Sequence, residues 1–362
     1  MTIKSCQLFV WILLIALLCG VRFPQPLGAS EPPRFDADLV KRLEGELCAR
    51  YDAVLSRADS SNRMRVRTTD RFIIVTDASE SYLAWLSELL ERVAQAFDQF
   101  VETMEFEACE LDSPLTVVLF ATREEFDVMA AEIRGESYWQ SESKPTGFYN
   151  ARYNACFVYD RTGYSQEAPG ISDSREESVG VGSRRRVNHF ARALKERDNS
   201  ETNVCTIVHE TTHLLAYNYG FFSARRESPS WAIEGMAMLF EPSSGSATLG
   251  WRFGKTFPVN RPRLYDFKDG FESDPNLTML PEVLFHDSFA QTLDDYGYAT
   301  AWALFYYCYR KRTHELAEYL TILATRRYPA YSDEARREDF QACFGSLEQF
   351  QQDFRRFINR AQ

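Results

Sequence analysis

The stretch His209-Glu210-Thr211-Thr212-His213 decides how the rest of the chain is interpreted. On an α-helix, residues four apart lie on one face, so His209 and His213 can hold a single metal ion while Glu210 projects beside it. The motif uses two of only five histidines in 362 residues, which argues against a chance match. The sequence therefore predicts a zinc-binding helix that carries its own general base, Glu210.

The segment around the motif is predicted to form one long helix. Thr202 or Asn203 can cap its start, and Gly220 stands where a helix favours a left-handed residue after its last turn. A catalytic zinc ion usually has three protein ligands and one open position, and the two histidines supply only two. The third ligand must come from another segment.

A second helix is predicted from the start signal Ser228-Pro229-Ser230. Glu234 is the lone acid in the apolar run that follows, and burying a carboxylate is costly unless it is paired or binds a metal. We therefore predict Glu234 as the third zinc ligand. The alternative is an ordinary glutamate near a helix N-terminus, where it meets the helix dipole or an arginine.

The two segments together resemble the gluzincin metallopeptidases, in which His-Glu-x-x-His is followed by a downstream glutamate. A longer stretch of sequence resembles an uncharacterised secreted bacterial family of unknown function, of the peptidase-MA-like type. The matching segments are Pro229 to Ala237 and Tyr298 to Leu304. The resemblance covers most of residues 70–355. It implies a zincin-like fold with one zinc ion per chain, and it implies no known substrate.

The resemblance also bears on substrate binding and on the oxyanion. Aminopeptidase-type gluzincins bind the substrate amine through a Gly-Ala-Met-Glu-Asn strand; the comparable segment here, 146–151, lacks the acid, so an endopeptidase is expected. They also place a tyrosine oxyanion donor about sixty residues after the glutamate ligand. Tyr298 lies 64 residues after Glu234, with Tyr296 as its competitor. The alternative for both tyrosines is packing in the core.

The first thirty residues have the pattern of a cleaved signal peptide. Lys4 precedes an apolar run from Leu8 to Val21, and small residues follow at 28–30. The run is shorter than the roughly twenty residues that a membrane-spanning helix needs. Acylation at Cys19 and an uncleaved anchor are the alternatives. We therefore expect a secreted or periplasmic protein without stable membrane insertion of the mature chain.

The charge of the chain limits its partners. Cleavage after residue 30 would change the formal net charge from −11 to −13, because it removes Lys4 and Arg22 and no acid. Strong acidity argues against nucleic acid or an anionic membrane as a partner. A peptide or protein substrate is compatible with it, and the sequence leaves the oligomeric state open.

Strands and helices alternate before the motif, so we expect an α+β, zincin-like fold. Strands are predicted at 71–76 and 115–120, a hairpin at 146–150 and 155–159, and helices at 34–57, at 79–104 and after the capping box of Thr122 and Glu125. The expected parts are an N-terminal helical element, a small mixed lobe with the active-site helix, and a helical C-terminal lobe; their ranges are 31–66, 67–245 and 246–362.

The sequence also predicts the structure of two connecting segments and the position of the hairpin. Residues 164–200 are predicted as a flexible insertion with a helix at 187–197, and the region from Glu234 to about residue 278 as a loop before five C-terminal helices. The hairpin is expected to run past the metal and to accept an extended peptide along its edge.

Six cysteines follow the signal sequence: Cys48, Cys109, Cys156, Cys205, Cys308 and Cys343. In an exported chain they permit up to three disulfides, and buried free thiols are the alternative. Cys205 lies one turn before His209, which makes it a candidate neighbour of the metal. His189, His286 and His314 are expected on loops or on the surface, without a role.

These observations favour an exported zinc-dependent peptide hydrolase. The main alternative is a catalytically silent binding or scaffold module that keeps the zincin fold; a hydrolase of another substrate, such as an epoxide or a cell-wall amide, is a third class. The presence of Glu210 argues against the silent module, because a structural zinc site needs four ligands and no base.

Overall fold

The computed structural model describes most of the chain after the predicted signal peptide. The described residues are 33, 35–58, 60–135, 138–139, 144–166, 181–242, 251–254, 256–292, 294–327 and 329–360, with the backbone alone at 166 and 181–186. The predicted signal peptide and part of the predicted insertion, residues 167–180, lie outside them. Residues Arg34–Gln362 cluster as one compact unit.

One mixed sheet of five strands supports the helix that carries the motif. Its strands are β1 (Arg65–Thr68), β2 (Phe72–Thr76), β3 (Leu115–Phe120), β4 (Gly147–Asn150) and β5 (Ala155–Tyr159). Their order is β1-β2-β3-β5-β4, with β2, β3 and β5 parallel and the two outer strands antiparallel to their neighbours. β4 therefore forms one edge of the sheet.

Thirteen α-helices are found in the described part of the chain. The first six are α1 (Ala37–Arg57), α2 (Glu80–Thr103), α3 (Arg123–Arg134), α4 (Val181–Lys195), α5 (Ser200–Asn218) and α6 (Ser230–Phe240). The others are α7 (Arg261–Ser273), α8 (Leu280–Phe285), α9 (Ser288–Thr292), α10 (Asp295–Lys311), α11 (Thr313–Thr325), α12 (Asp333–Phe344) and α13 (Leu347–Ile358). This composition confirms the α+β class.

Alternation along the buried strands divides the core between the two faces of the sheet. Successive side chains of a strand point to opposite faces, so Ile74 and Val117 join one apolar cluster while Ile73 and Val118 join the other. The first cluster includes residues of α2, α5, α6 and α10, and the second includes residues of α1 and α3. The motif helix α5 thus lies against one face of the sheet.

Two predictions about local structure are wrong, and one is confirmed with an earlier start. The segment predicted as a loop before residue 278 contains α7, which begins after Asn260 because the Asn260 side chain accepts from the Arg263 N–H. The helix predicted at 187–197 is found as α4, which begins earlier, at Val181, and has buried side chains such as Phe190 and Leu194. α5 begins at Ser200 without a side-chain cap, so neither Thr202 nor Asn203 caps it.

Asn203 has a different function inside α5. Its amide donates to the Tyr82 hydroxyl at 2.9 Å, and its carbonyl oxygen accepts from the backbone N–H of Arg161 at 3.0 Å. It therefore ties the first turn of α5 to α2 and to the segment after β5. At the other end Gly220 has φ +91°, the left-handed conformation that the sequence predicts there.

All six cysteines after the signal sequence are free thiols. Among the described helices, none combines the length and apolar character that crossing a membrane requires.

Candidate metal centre

Helices α5 and α6 bring His209, His213 and Glu234 together. One ligand atom from each lies within 4.8 Å of the others, and this group could hold a metal ion. The Nε2 atoms of His209 and His213 are 3.0 Å apart. Glu234 Oε2 lies 3.3 Å from His209 Nε2, and its Oε1 lies 3.7 Å from His213 Nε2.

These separations match the edges of a small coordination tetrahedron. For metal–ligand distances of about 2.0–2.1 Å, two ligand atoms of a tetrahedral site lie roughly 3.3–3.4 Å apart. The two imidazole nitrogens and one oxygen of Glu234 could occupy three corners of such a site and leave a fourth position open. The residues therefore fit a zinc ion with one exchangeable position.

Glu241 completes the surroundings of His209, and the sequence did not predict it. Its Oε1 is 2.9 Å from His209 Nδ1, so the ring donates there and its Nε2 faces Glu234 and His213. Asn260 donates to Glu241 Oε2 at 2.7 Å, and Arg263 lies 3.6 Å from Oε1. The orientation of the His209 ring is therefore fixed before a metal binds.

The buried carboxylates of this cluster require a positive charge beside them, as in a site that binds a cation. Burial would lower the pKa of His209, but its hydrogen bonds to Glu234 and Glu241 raise the pKa well above the usual value. Burial would likewise raise the pKa of Glu234, yet His213 and His209 lower it far below the ordinary range. Without metal, a proton on the imidazole thus supplies the positive charge that the carboxylates require.

Glu210 lies beside the three ligand residues and outside their set. Burial raises the pKa of its carboxyl group, while the neighbouring His209 and His213 oppose the rise. Gly147 of β4 packs directly on it: a Cβ atom at that position would be 3.0 Å from Glu210 Cγ and 2.8 Å from Thr206 Cγ2. The absence of a side chain at Gly147 is what allows the edge strand to lie against α5.

The helix that carries Glu234 is fixed at its start and at its middle. Asp287 accepts from the Ser230 N–H at 2.6 Å and pairs with Arg336 at 2.6 Å, so the cap comes from another segment and not from the local serines. A Cβ at Gly235 would lie 2.6 Å from Phe305 Cβ and 2.7 Å from the Ala301 carbonyl. α6 and α10 therefore cross in close contact at the residue next to Glu234.

The two candidate tyrosines lie in different environments. Tyr298 lines the same cleft as the metal ligands, and burial together with the nearby Glu234 raises the pKa of its phenol, which keeps it a proton donor. The Tyr296 ring packs over Gly270 of α7, with its hydroxyl buried. The geometry therefore places Tyr298, and not Tyr296, at the cleft.

The cleft has a volume of about 1030 Å³ and passes between the sheet edge and the helices. β4 forms one wall with Thr146, Gly147 and Tyr149, while α7 and α10 contribute Arg263 and Tyr298 to another. Because β4 is an edge strand, the cleft is bordered by main-chain groups of a sheet edge.

The other sequence candidates are outside the ligand group. Cys205 points its thiol at the Glu241 carbonyl, 3.7 Å away, and is not in the ligand group. His286 pairs with Asp333, His314 is 82% exposed, and His189 is exposed on α4. None of these three histidines lines the cleft.

Comparison with known families gives one match. Residues 203–330, which include most of α5, all of α6 and Tyr298, match a family described as "Protein of unknown function (DUF1570)". No curated protein matches the chain. The matched segment thus contains every residue of the centre, and the family description assigns it no activity.

Proposed function

We propose that this protein is a zinc-dependent peptide hydrolase with a zincin-like fold, most simply an endopeptidase. The observation that carries the proposal is the Glu210 carboxylate beside an open three-residue ligand set, on the wall of a cleft that is bordered by a sheet edge. A structural zinc site would close with a fourth protein ligand and would need no base.

Each residue has a distinct part in amide hydrolysis. His209, His213 and Glu234 would hold the ion, and Glu241 would fix the ring of His209. Bound zinc would supply Lewis-acid chemistry, polarising a water molecule and the scissile carbonyl. Glu210 takes a proton from the attacking water and delivers it to the amine nitrogen as the C–N bond breaks. Tyr298 donates a hydrogen bond to the carbonyl oxygen as negative charge develops on it.

The raised pKa of Glu210 suits this role. A general base works best when the pKa lies near the working pH, because the group must both accept and release the proton. Burial raises the pKa of Glu210 towards that range. Bound zinc would add positive charge and oppose the rise, so the two influences together would set the acid limb of a pH–rate profile.

Zinc content and peptide cleavage test the proposed ligands and the proposed general base. The purified protein should contain about one zinc per chain and should cleave a broad peptide pool in a reaction that a chelator stops and added zinc restores. Glu234→Ala should lose zinc. Glu210→Gln should keep zinc and lose hydrolysis, because an amide cannot accept the proton. Mass spectrometry reads the cleavage, and elemental analysis reads the metal.

His314→Ala is the matched control, since His314 is 82% exposed and lies outside the cleft. Unchanged zinc in Glu234→Ala would refute the third ligand, and an active Glu210→Gln would refute the base. A zinc-loaded wild-type protein that cleaves no peptide in the pool would refute peptide hydrolysis and favour the binding module or a non-peptide substrate.

We also propose that the protein is exported and that its signal peptide is removed. The support is the short apolar run with small residues at 28–30. The mature N-terminus is expected near Ser30 or Glu31. N-terminal sequencing of protein recovered from outside the cytoplasm tests this, and a cytosolic protein that retains Met1 would contradict it.

A further inference from the structure

β4 runs alongside α5, and this defines two ends of the cleft. The two ends differ in chemistry. At one end Gly147 packs on Thr206, one turn before His209. At the other end the Tyr149 ring lies 4.9 Å from the Tyr217 ring, one turn after His213. Glu210 lies between them, so a chain extended along β4 would place one flank at each end.

The end near Thr206 is basic. Lys144 precedes β4, the Arg134 guanidinium lies 5.2 Å from the centre of the Phe148 ring, and the backbone of Arg161 is bonded to Asn203 in the first turn of α5. All three cations line the cleft. They come from the end of α3, the segment before β4 and the segment after β5, so the fold and not a local run of sequence assembles them.

Few carboxylates balance these cations. Glu201 lines this end as well, and Asp127 lies 3.7 Å from Lys144 Nζ. Within the described residues, no carboxylate lies within ion-pair distance of Arg134 or Arg161. The chain as a whole has a net charge of −11, so a cationic end to its cleft is the reverse of its average surface.

Resting on the proposed hydrolase function, we infer that this basic end binds a carboxylate of the substrate on the C-terminal side of the cleaved bond. The direction follows from strand addition: antiparallel pairing is the more stable arrangement, and it runs the substrate from the Tyr149 end towards Lys144. Gly147 packs on Glu210, which places the cleaved bond opposite Gly147. Lys144 comes three residues before Gly147 in the chain. The carboxylate therefore belongs about three residues after the cleaved bond.

The carboxylate has two possible sources. An aspartate or glutamate side chain would mark an internal cleavage site, whereas the terminal α-carboxylate would make the enzyme remove short C-terminal peptides. The chemistry of recognition is the same for both, namely charge-assisted hydrogen bonds from guanidinium and ammonium groups. Amidation of the substrate terminus separates them.

The experiment uses decapeptide pools in which one position is Glu, Gln or Lys and the others are randomised, each with a free or an amidated C-terminus. Wild type should favour Glu over Gln near the third position after the bond about tenfold, the scale of one charged hydrogen bond. The preference should decline as salt rises, because exposed charges are screened. If amidation abolishes the preference, the source is the α-carboxylate; if the preference survives amidation, it is the side chain.

Variants of Arg134 and Arg161 test whether these residues cause the preference for Glu. Arg134→Glu/Arg161→Glu should turn the preference towards Lys, and Arg134→Gln/Arg161→Gln should remove it, with zinc content retained in both. Arg42→Glu/Arg310→Glu makes the same change of charge at exposed positions outside the cleft and should preserve the preference for Glu. A preference that the cleft variants leave unchanged overturns the inference.

Binding of fluorescein-labelled pools to Glu210→Gln, followed by fluorescence anisotropy, separates this inference from the proposed function. Hydrolysis by wild type without a charge preference overturns the inference alone. Tighter binding of Glu pools that depends on Arg134 and Arg161, without hydrolysis by wild type, supports a carboxylate-binding site at the basic end and overturns the proposed function. Neither hydrolysis nor charge-dependent binding overturns both.

Discussion

At the level of single residues, removing the Tyr298 hydroxyl tests whether this tyrosine stabilises the transition state or only packs in the fold. Its phenol lines the cleft near Glu234, and the raised pKa keeps it protonated. Tyr298→Phe should lower kcat about 10²-fold, the cost of one oxyanion donor, with KM and zinc content nearly unchanged. Steady-state kinetics on a single cleaved peptide gives both constants.

Tyr296→Phe is the control for this prediction. It removes a buried hydroxyl, two residues away on the chain and outside the cleft, from a ring that packs on α7. A larger loss in Tyr296→Phe than in Tyr298→Phe would reverse the assignment. Equal activity in both variants would mean that the donor is another group.

The three residues that could hold a metal ion were predictable from sequence, because His209 and His213 lie one helical turn apart and Glu234 is isolated in an apolar run. Glu241 could not be predicted in this way. Its contact with His209 depends on how α6 crosses α5, and Asn260 and Arg263 reach it from α7, a helix that the sequence did not indicate. The only signal was an acid directly after the apolar run of α6.

Among the secondary-structure elements, the contact between β4 and α5 rests on Gly147. Gly147→Ala would place a methyl group 2.8 Å from Thr206 Cγ2 and 3.0 Å from Glu210 Cγ, so the strand must move away from the helix. We expect a loss of about 1–3 kcal/mol in the free energy of unfolding and a lower kcat, since the base and the substrate edge move apart. Urea unfolding and kinetics measure the two effects.

Two further variants make this test specific. Thr206→Ser in the Gly147→Ala background removes the closest methyl and should restore part of both losses. Gly45→Ala, in the middle of α1 with nothing within 4 Å, should instead stabilise the protein by up to about 1 kcal/mol. If Gly147→Ala matched Gly45→Ala in stability, the close packing of β4 would be disproved.

Elements with a strong periodic pattern were predicted well, and those with a mixed pattern were not. Helices α1 and α2 and the strands β2 and β3 begin and end within a few residues of their predicted limits. α7 was missed because Pro262 and Gly270 interrupt a charged segment in which Phe267 alone is buried. β1 was missed because the sequence Arg-Val-Arg-Thr is only partly buried, so its pairing with β2 depends on the sheet.

For the whole molecule, Asp77 makes the stability depend on pH. Burial, and then the neighbouring Glu125, raise the pKa of Asp77 to about 6, although Asn62 and the Ala121 N–H donate to it. The folded protein therefore holds this proton more tightly than the unfolded chain, whose value is near 3.8. The stability from this group is present below about pH 4 and is lost as pH rises to about 6.

Comparison with Asp77→Asn isolates the effect, because the amide does not titrate. The free energy of unfolding of wild type relative to the variant should fall by on the order of 2–3 kcal/mol between pH 4 and pH 7. Urea titrations at several pH values measure it. Asp70→Asn, which removes a carboxylate at an exposed position, is the control variant. Parallel curves for wild type and Asp77→Asn would rule out the raised pKa.

The close crossing at Gly235 has a thermodynamic consequence for metal uptake. α6 packs closely on α10 beside Glu234, and Asp287 accepts from the Ser230 N–H at the start of α6. The backbone that carries Glu234 is therefore ordered before a metal ion binds. Small metal-dependent domains fold as they bind, and they bury apolar surface in doing so. Binding of the proposed zinc ion would order little chain and bury little new surface, so calorimetric titration with zinc should give a heat-capacity change close to zero.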